Sequence, residues 1–134
     1  MSFNRRQFHG KVNGFRSGLE EALSEQLRSL GVEPKYESVK IEYTDTRVHK
    51  YTPDFQLPNG IIVESKGYFT SQDRKKHLLV QEQYPPLDVR FVFTRANNRL
   101  TRKSTTTYAM WCRKHGFKFA EQLIPTSWLQ EKSK

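Results

Sequence analysis

The chain has 134 residues, with 23 Lys and Arg against 14 Asp and Glu, a formal net charge of +9 and 35% hydrophobic residues. That size suits one soluble domain, and that charge calls for a polyanionic partner, nucleic acid before an acidic membrane surface. A lone cysteine, Cys112, excludes an intrachain disulfide and a cysteine-based zinc cluster, while the lack of a long apolar run or signal-like start excludes a membrane partner and secretion, leaving a reduced, cytoplasmic protein as the expectation.

Residues 1–16 carry Arg5, Arg6, Lys11 and Arg16 and no acid. They read as a basic arm on nucleic acid or as a loose charged tail, ahead of a single domain over residues 17–134. "SGLEEALSEQLRSLG" (17–31) places Leu19, Leu23, Leu27 and Leu30 at helical spacing, with Ser17 as a cap and Gly31 as a stop. "KYESVKIEYT" alternates through Val39, Ile41 and Tyr43 and predicts a strand. "TDTRVHKY" has no clear period and reads as a connector or an extended continuation. "TPDFQL" is a short strand, and "PNG" at 58–60 turns it into "IIVES" as a hairpin. "SQDRKKHLLVQEQY" predicts a helix with Asp73 near its positive end and Pro85-Pro86 beyond its last turn.

"DVRFVFT" alternates again through Val89, Phe91 and Phe93, and "RANNRLTRKS" is a basic loop. "TTTYAMWCRKHG" predicts a helix closed by Gly116, "FKF" a brief strand, and "PTSWLQEK" a final turn or two of helix. Strands alternate with helices around one central hairpin, an order that favours an α/β fold with a mixed sheet flanked by helices.

The hairpin carries charge at costly positions. Glu64 and Lys66 share one strand face, and the turn at 58–60 returns Asp54 to the same neighbourhood. Two converging carboxylates repel unless a cation lies between them. Hard oxygen ligands suit magnesium, which polarises a phosphodiester and activates water, and Lys66 would position that water or neutralise charge on the phosphate. A plainer reading makes all three ordinary turn and strand-end residues. The Pro53-Asp54 and Glu64-Ser65-Lys66 spacing resembles the PD-(D/E)xK pattern of restriction-endonuclease-like nucleases. Glu20 fits a capping box with Ser17 and also borders the buried helix face, so cap and third carboxylate compete.

"GFRSGLE", "YTPDFQLPNGIIVESKG", "DRKKHLL" and "KHGFKFAEQLIP", in order over about residues 14–130, resemble the endonuclease I family of T7-type phages, the Holliday-junction resolvases. The resemblance implies a homodimer acting in a phage-infected bacterium, with a restriction-endonuclease-like fold, that cuts four-way and other branched DNA. It implies Mg2+ or Mn2+, two ions per site. Glu20, Asp54, Glu64 and the backbone carbonyl of Ser65 would bind metal, and Lys66 would be the catalytic lysine, which favours the metal role for Glu20. It also implies exchange of residues 17–43 between subunits through a bridge at 44–50, so that Glu20 of one chain joins Asp54, Glu64 and Lys66 of the other.

Three histidines, His49, His77 and His115, share no ligand spacing and read as packing or surface groups. Tyr108, Trp111 and Cys112 fall on one helix face and read as core. Arg74, Lys75 and Lys76 oppose the dipole of their helix, a cost that a phosphate would offset, so they read as DNA-facing or as a plain solvated face. Arg95, Arg99, Arg102 and Lys103 lie on a loop able to track a DNA backbone. The function expected is a metal-dependent, structure-selective DNA endonuclease without a small-molecule cofactor. The rivals are a sequence-specific homing or restriction endonuclease on the same fold and a noncatalytic branched-DNA-binding protein, which would gain nothing from carboxylates facing phosphate.

Overall fold

A computed structural model describes residues 18–133. Ser17, the expected cap, and the arm residues Arg5, Arg6, Lys11 and Arg16 lie outside them. Helix α1 (Gly18–Ser29) is followed by strands β1 (Ile41–Asp45), β2 (Arg47–Tyr51), β3 (Phe55–Gln56) and β4 (Ile62–Lys66). Helix α2 (Ser71–Gln83), strand β5 (Val89–Phe93), helix α3 (Tyr108–His115), strand β6 (Phe119–Glu121) and helix α4 (Thr126–Gln130) complete the order.

The central sheet runs β3-β4-β5-β6. Strands β3 and β4 are antiparallel, whereas β4, β5 and β6 are parallel neighbours, so the sheet is mixed, as the alternation predicts. One face packs Ile62, Phe91 and Phe93 against Phe69 and the apolar side of α3, with Trp111 and Cys112 fully inside. The other packs Val63 and Val92 against Leu23 and Leu27 of α1 and Trp128 of α4. Because helices cover both faces, every residue of β5 is buried, including Arg90, which the alternation pattern does not single out. Arg90 forks onto both oxygens of Asp88 (3.0 and 2.8 Å) and of Glu131 (2.7 and 2.8 Å) and stacks over Trp128, so its buried charge is paired. These bonds tie the C-terminal end to the sheet.

The turn at 58–60 forms as expected, with Gly60 at φ 94°, and Gly116 closes α3 in the left-handed region. Four elements differ from the sequence reading. The strand expected over "KYESVKIEYT" begins only at Ile41, with an isolated Tyr36↔Phe55 bridge before it. "TDTRVHKY" is extended, as one of its two readings has it, but it reverses at Thr46 and folds back as β2, paired with β1 from Ile41↔Tyr51 to Asp45↔Arg47 in a separate two-stranded sheet. Leu30 lies past the end of α1 and is exposed. The last strand begins at Phe119, because Phe117 drops into the aromatic core beside Trp111 and Phe91.

The β1–β2 hairpin rests on α2 through polar bonds. The side chain of Gln83 accepts from Thr44 N and donates to Thr44 O (2.8 and 2.7 Å), Tyr84 Oη donates to Glu42 O (2.6 Å), and Lys75 pairs with Asp45 (3.1 Å). Its turn is a single residue, Thr46, at φ 61°. A β-branched side chain is unfavourable there. No helix among the described residues is long and apolar enough to cross a membrane.

His77 of α2 is buried edge-on to Tyr51 and Phe91. Burial, then the charges of Lys76 and Lys66, hold its pKa well below the usual histidine value. Below about pH 6.5 the unfolded chain takes up a proton that folded His77 refuses, so this contribution to stability is lost as pH falls through that window. His77→Phe is expected to flatten the loss of urea midpoint between about pH 7 and 5; parallel wild-type and variant profiles would contradict the assignment.

Candidate active site

At the C-terminal end of β4 lies an open cavity of about 240 Å³, lined by Glu20, Glu37, Asp54, Glu64, Lys66 and Lys76 together with Tyr68 and neighbouring backbone. The hairpin builds its centre. Phe55 pairs with Val63, and continuing that antiparallel register brings Asp54 opposite Glu64. Each acid is then held by the other's strand. The Asp54 amide donates to Glu64 Oε2 (2.9 Å), while the Ser65 amide and hydroxyl both donate to Asp54 Oδ2 (2.9 Å each). Tyr51 Oη adds a 2.7 Å bond to Glu64 Oε2.

Glu64 is 3% exposed. Burial, reinforced by the charge of Asp54, pushes its carboxyl up to about 8 against the pull of Lys66 and the two bonds. A carboxylate this reluctant to ionise is what an acidic pocket gives without a cation. Lys66 is 3.9 Å from Glu64 Oε1 and 3.3 Å from Asp73 Oδ1. The lysine thus spans the strand end and the first turn of α2.

Asp73 belongs to a capping box with Thr70: the Thr70 hydroxyl accepts from the Asp73 amide, and the Asp73 carboxylate accepts from the Thr70 amide. Half burial works against ionisation of Asp73, but Lys66 and the Thr70 bonds prevail and hold its pKa below the usual value. The dipole conflict expected of the basic triplet is therefore met within the protein. Arg74 donates to Phe69 O (2.7 Å), Lys75 pairs with Asp45, and Lys76 lies 4.0 Å from Asp73 and over the Tyr51 ring. Burial and then the Lys66 charge lower the Lys76 pKa.

Glu20 is buried on α1 and stands beside Asp54 of its own chain, whereas the resemblance implies that it joins Asp54 of a partner chain. One oxygen each of Glu20, Glu37 and Asp54 lie within 4.8 Å of one another, a spacing that fits a shared hard cation. Glu37 was missed. It stands in the part of "KYESVKIEYT" that does not form the expected strand, at φ 50°, where its amide donates to Asp54 O (2.8 Å) and Tyr36 bridges to Phe55. Its only sequence signal is an acid flanking an apolar alternation, too common to single out. Tyr51 and Asp73 were missed as site partners for the same reason.

Arg95, Arg99, Arg102 and Lys103 are exposed on the loop after β5. Lys66 pairs with Phe93, and Thr94 N donates to Lys66 O, so this loop leaves the sheet at the cavity's end. His49 stacks on Tyr43 and His115 packs against Trp111, the packing roles expected of them. Removing one of three converging charges weakens their field on a cation. Glu37→Gln should lower Mn2+ affinity by about tenfold in calorimetric titration, and an unchanged affinity would remove Glu37 from the site.

Comparison with known proteins bears on this arrangement. The sequence profile of the family described as phage endonuclease I spans residues 1–134. The chain is 52% identical over 125 residues to "Endonuclease I" of Escherichia phage T7, covering 92% of this chain and 84% of that one. It is 50% identical over 121 residues to "Endodeoxyribonuclease 1" of Enterobacteria phage T3, covering 90% and 80%.

Proposed function

The chain belongs to the phage endonuclease I family, and from that premise we propose that it is a metal-dependent DNA endonuclease of restriction-endonuclease-like fold that resolves four-way and other branched junctions in the infected bacterial cytoplasm. The observation that carries the reading is the convergence of Glu20, Asp54, Glu64 and Lys66 in one cavity, at the end of the sheet where an exposed basic loop begins beside Lys66. A noncatalytic DNA binder has no use for buried acids facing phosphate.

Glu20, Glu37, Asp54 and Glu64 with the Ser65 carbonyl would hold magnesium or manganese, two ions per site, and the ions would polarise the phosphate and lower the pKa of the attacking water. The protein's own groups do the rest. Asp54 is fixed by Ser65 and Glu64 by Tyr51 and the Asp54 amide, so neither acid must reorganise when phosphate arrives. Lys66 is held between Glu64 and Asp73, where it orients water and neutralises charge growing on the phosphoryl oxygens. The water oxygen bonds to phosphorus as the bond to the 3′-oxygen breaks, leaving a 5′-phosphate and a 3′-hydroxyl. Arg95, Arg99, Arg102, Lys103 and Arg74–Lys76, with an arm at residues 1–16, would carry the DNA backbone. Asp54→Asn and Glu64→Gln should each slow junction cleavage about a hundredfold or more while junction binding persists. Near wild-type turnover in magnesium would rule out the assignment.

The same reading includes a homodimer that exchanges residues 17–43 through a bridge at 44–50. Two observations favour it: the one-residue turn at Thr46 is strained, and the turn end of the hairpin is docked on α2 through polar bonds at Thr44 and Asp45. Short strained hinges invite exchange, because opening them relieves strain and keeps the same pairing between chains. Coexpressing Glu20→Gln with Lys66→Ala chains separates the cases. Exchange leaves one composite site intact and one doubly defective, so the heterodimer nicks one strand of a junction. Without exchange, each site carries one lesion and cutting is lost. An inactive heterodimer, shown to have formed, refutes the swap.

A further inference from the structure

Tyr68 stands apart from the other tyrosines. The chain has six, and five have a structural partner: Tyr36 lies against Phe55, Tyr43 stacks on His49, Tyr51 bonds Glu64, Tyr84 bonds Glu42 O, and Tyr108 accepts from the Phe69 amide. Tyr68 makes no such contact among the described residues. At 83% it is the most exposed large hydrophobic side chain described, yet it lines the cavity that holds Glu64 and Lys66.

Its backbone is pinned on both sides. Lys66 ends β4, with its carbonyl accepting from Thr94 N. Phe69 is buried in the aromatic core, its amide on Tyr108 Oη (3.2 Å) and its carbonyl on Arg74 (2.7 Å), and Thr70 then caps α2. Phe69 points in and Tyr68 points out, so a rigid segment presents one aromatic ring to solvent at the lip of the acidic site.

We propose that Tyr68 is a stacking platform for an unstacked nucleobase next to the scissile phosphate, and so a determinant of branch selectivity. This rests on the nuclease reading above. A phosphate drawn to Lys66 brings its nucleotide's base about one nucleotide's length away, within reach of a ring two residues on. In a continuous duplex both faces of each base are covered by neighbours, so Tyr68 finds nothing to stack on. At a branch point or in a single strand a face is free, and aromatic stacking accepts any base. Tyr68 shares its cavity with the charged groups Lys66, Lys76 and Glu37, a setting unlike the apolar patch that a protein partner covers.

The test compares wild type, Tyr68→Ala and Tyr68→Trp, in metal-free buffer, on a four-way junction, a linear duplex and a single strand, each with 2-aminopurine beside the scissile position. Tyr68→Ala should bind the junction and the single strand about tenfold more weakly and leave duplex affinity unchanged. It should also lose the quenching of 2-aminopurine seen with wild type, and Tyr68→Trp should restore both. Equal losses on junction and duplex, or quenching identical in wild type and Tyr68→Ala, overturn the proposal. A Tyr68→Ala chain that changes oligomeric size overturns it in favour of a contact between copies. The single-strand arm reads stacking even if wild type shows no junction preference, a result that would count against the nuclease's proposed substrate alone.

Discussion

Every feature of the site depends on the crossed hydrogen bonds between Asp54 and Glu64. The backbone beside each acid donates to the other acid: Asp54 N to Glu64, and Ser65 N to Asp54. Those bonds form only in the β3–β4 register, so strand pairing and the placement of both carboxylates are one event. The arrangement works against folding in the absence of a cation, since burial and Asp54 hold Glu64 reluctant to ionise. Two helices close on the site from opposite sides, one adding a further acid behind an apolar seal and the other a partner for the lysine. On one face α1 seals the sheet with Leu23 and Leu27 and brings Glu20; on the other the first turn of α2 brings Asp73 to Lys66.

Lys66 is the link between these halves. Its ammonium is nearer to Asp73 than to Glu64, so its position is set largely by a carboxylate outside the acidic cluster. Asp73 is itself fixed by the Thr70 cap. A helix start thereby becomes part of the site: the cap orients Asp73, Asp73 orients Lys66, and Lys66 tempers Glu64. Buried positions of charge are tolerable when each has a fixed partner, and Arg90 at the far end of the sheet follows the same rule with Asp88 and Glu131.

The parts legible in the sequence are those whose information is local. Period-two alternation and the Pro-Asn-Gly turn specify the hairpin, and with it the mutual placement of Asp54, Glu64 and Lys66. Gly116 ends α3 because a left-handed residue is needed there. The mixed sheet with flanking helices was legible for the same reason. Glu37 and Tyr51 were not, because each reaches the cluster through a contact with no periodic signature. The reversal into β2 was not legible because its turn lacks Gly, Asn or Pro: Thr46 takes a positive φ that its side chain disfavours. Phe117 was placed in a strand because a lone aromatic beside Phe119 looks alternating, whereas it fills the core beside Trp111.

That turn bears on how two sites would be coordinated. In the closed chain α1 already supplies Glu20 beside Asp54, so exchange would alter which chain provides the acid and leave the local chemistry as it is. What exchange adds is mechanical. With β1 of one chain paired to β2 of another, the eleven-residue span from Ile41 to Tyr51 becomes two bridges between the halves, and two sites acquire a fixed separation. A junction presents two scissile phosphates related by a pseudo-twofold axis, and a symmetric dimer matches that relation in a way a monomer does not. The polar docking of the hairpin on α2 suits this use, because Gln83 and Lys75 bond the strand without regard to the chain it comes from. On the proposed exchange, the strained single-residue turn would be the hinge of the assembly, its strain relieved when the two strands pair between chains.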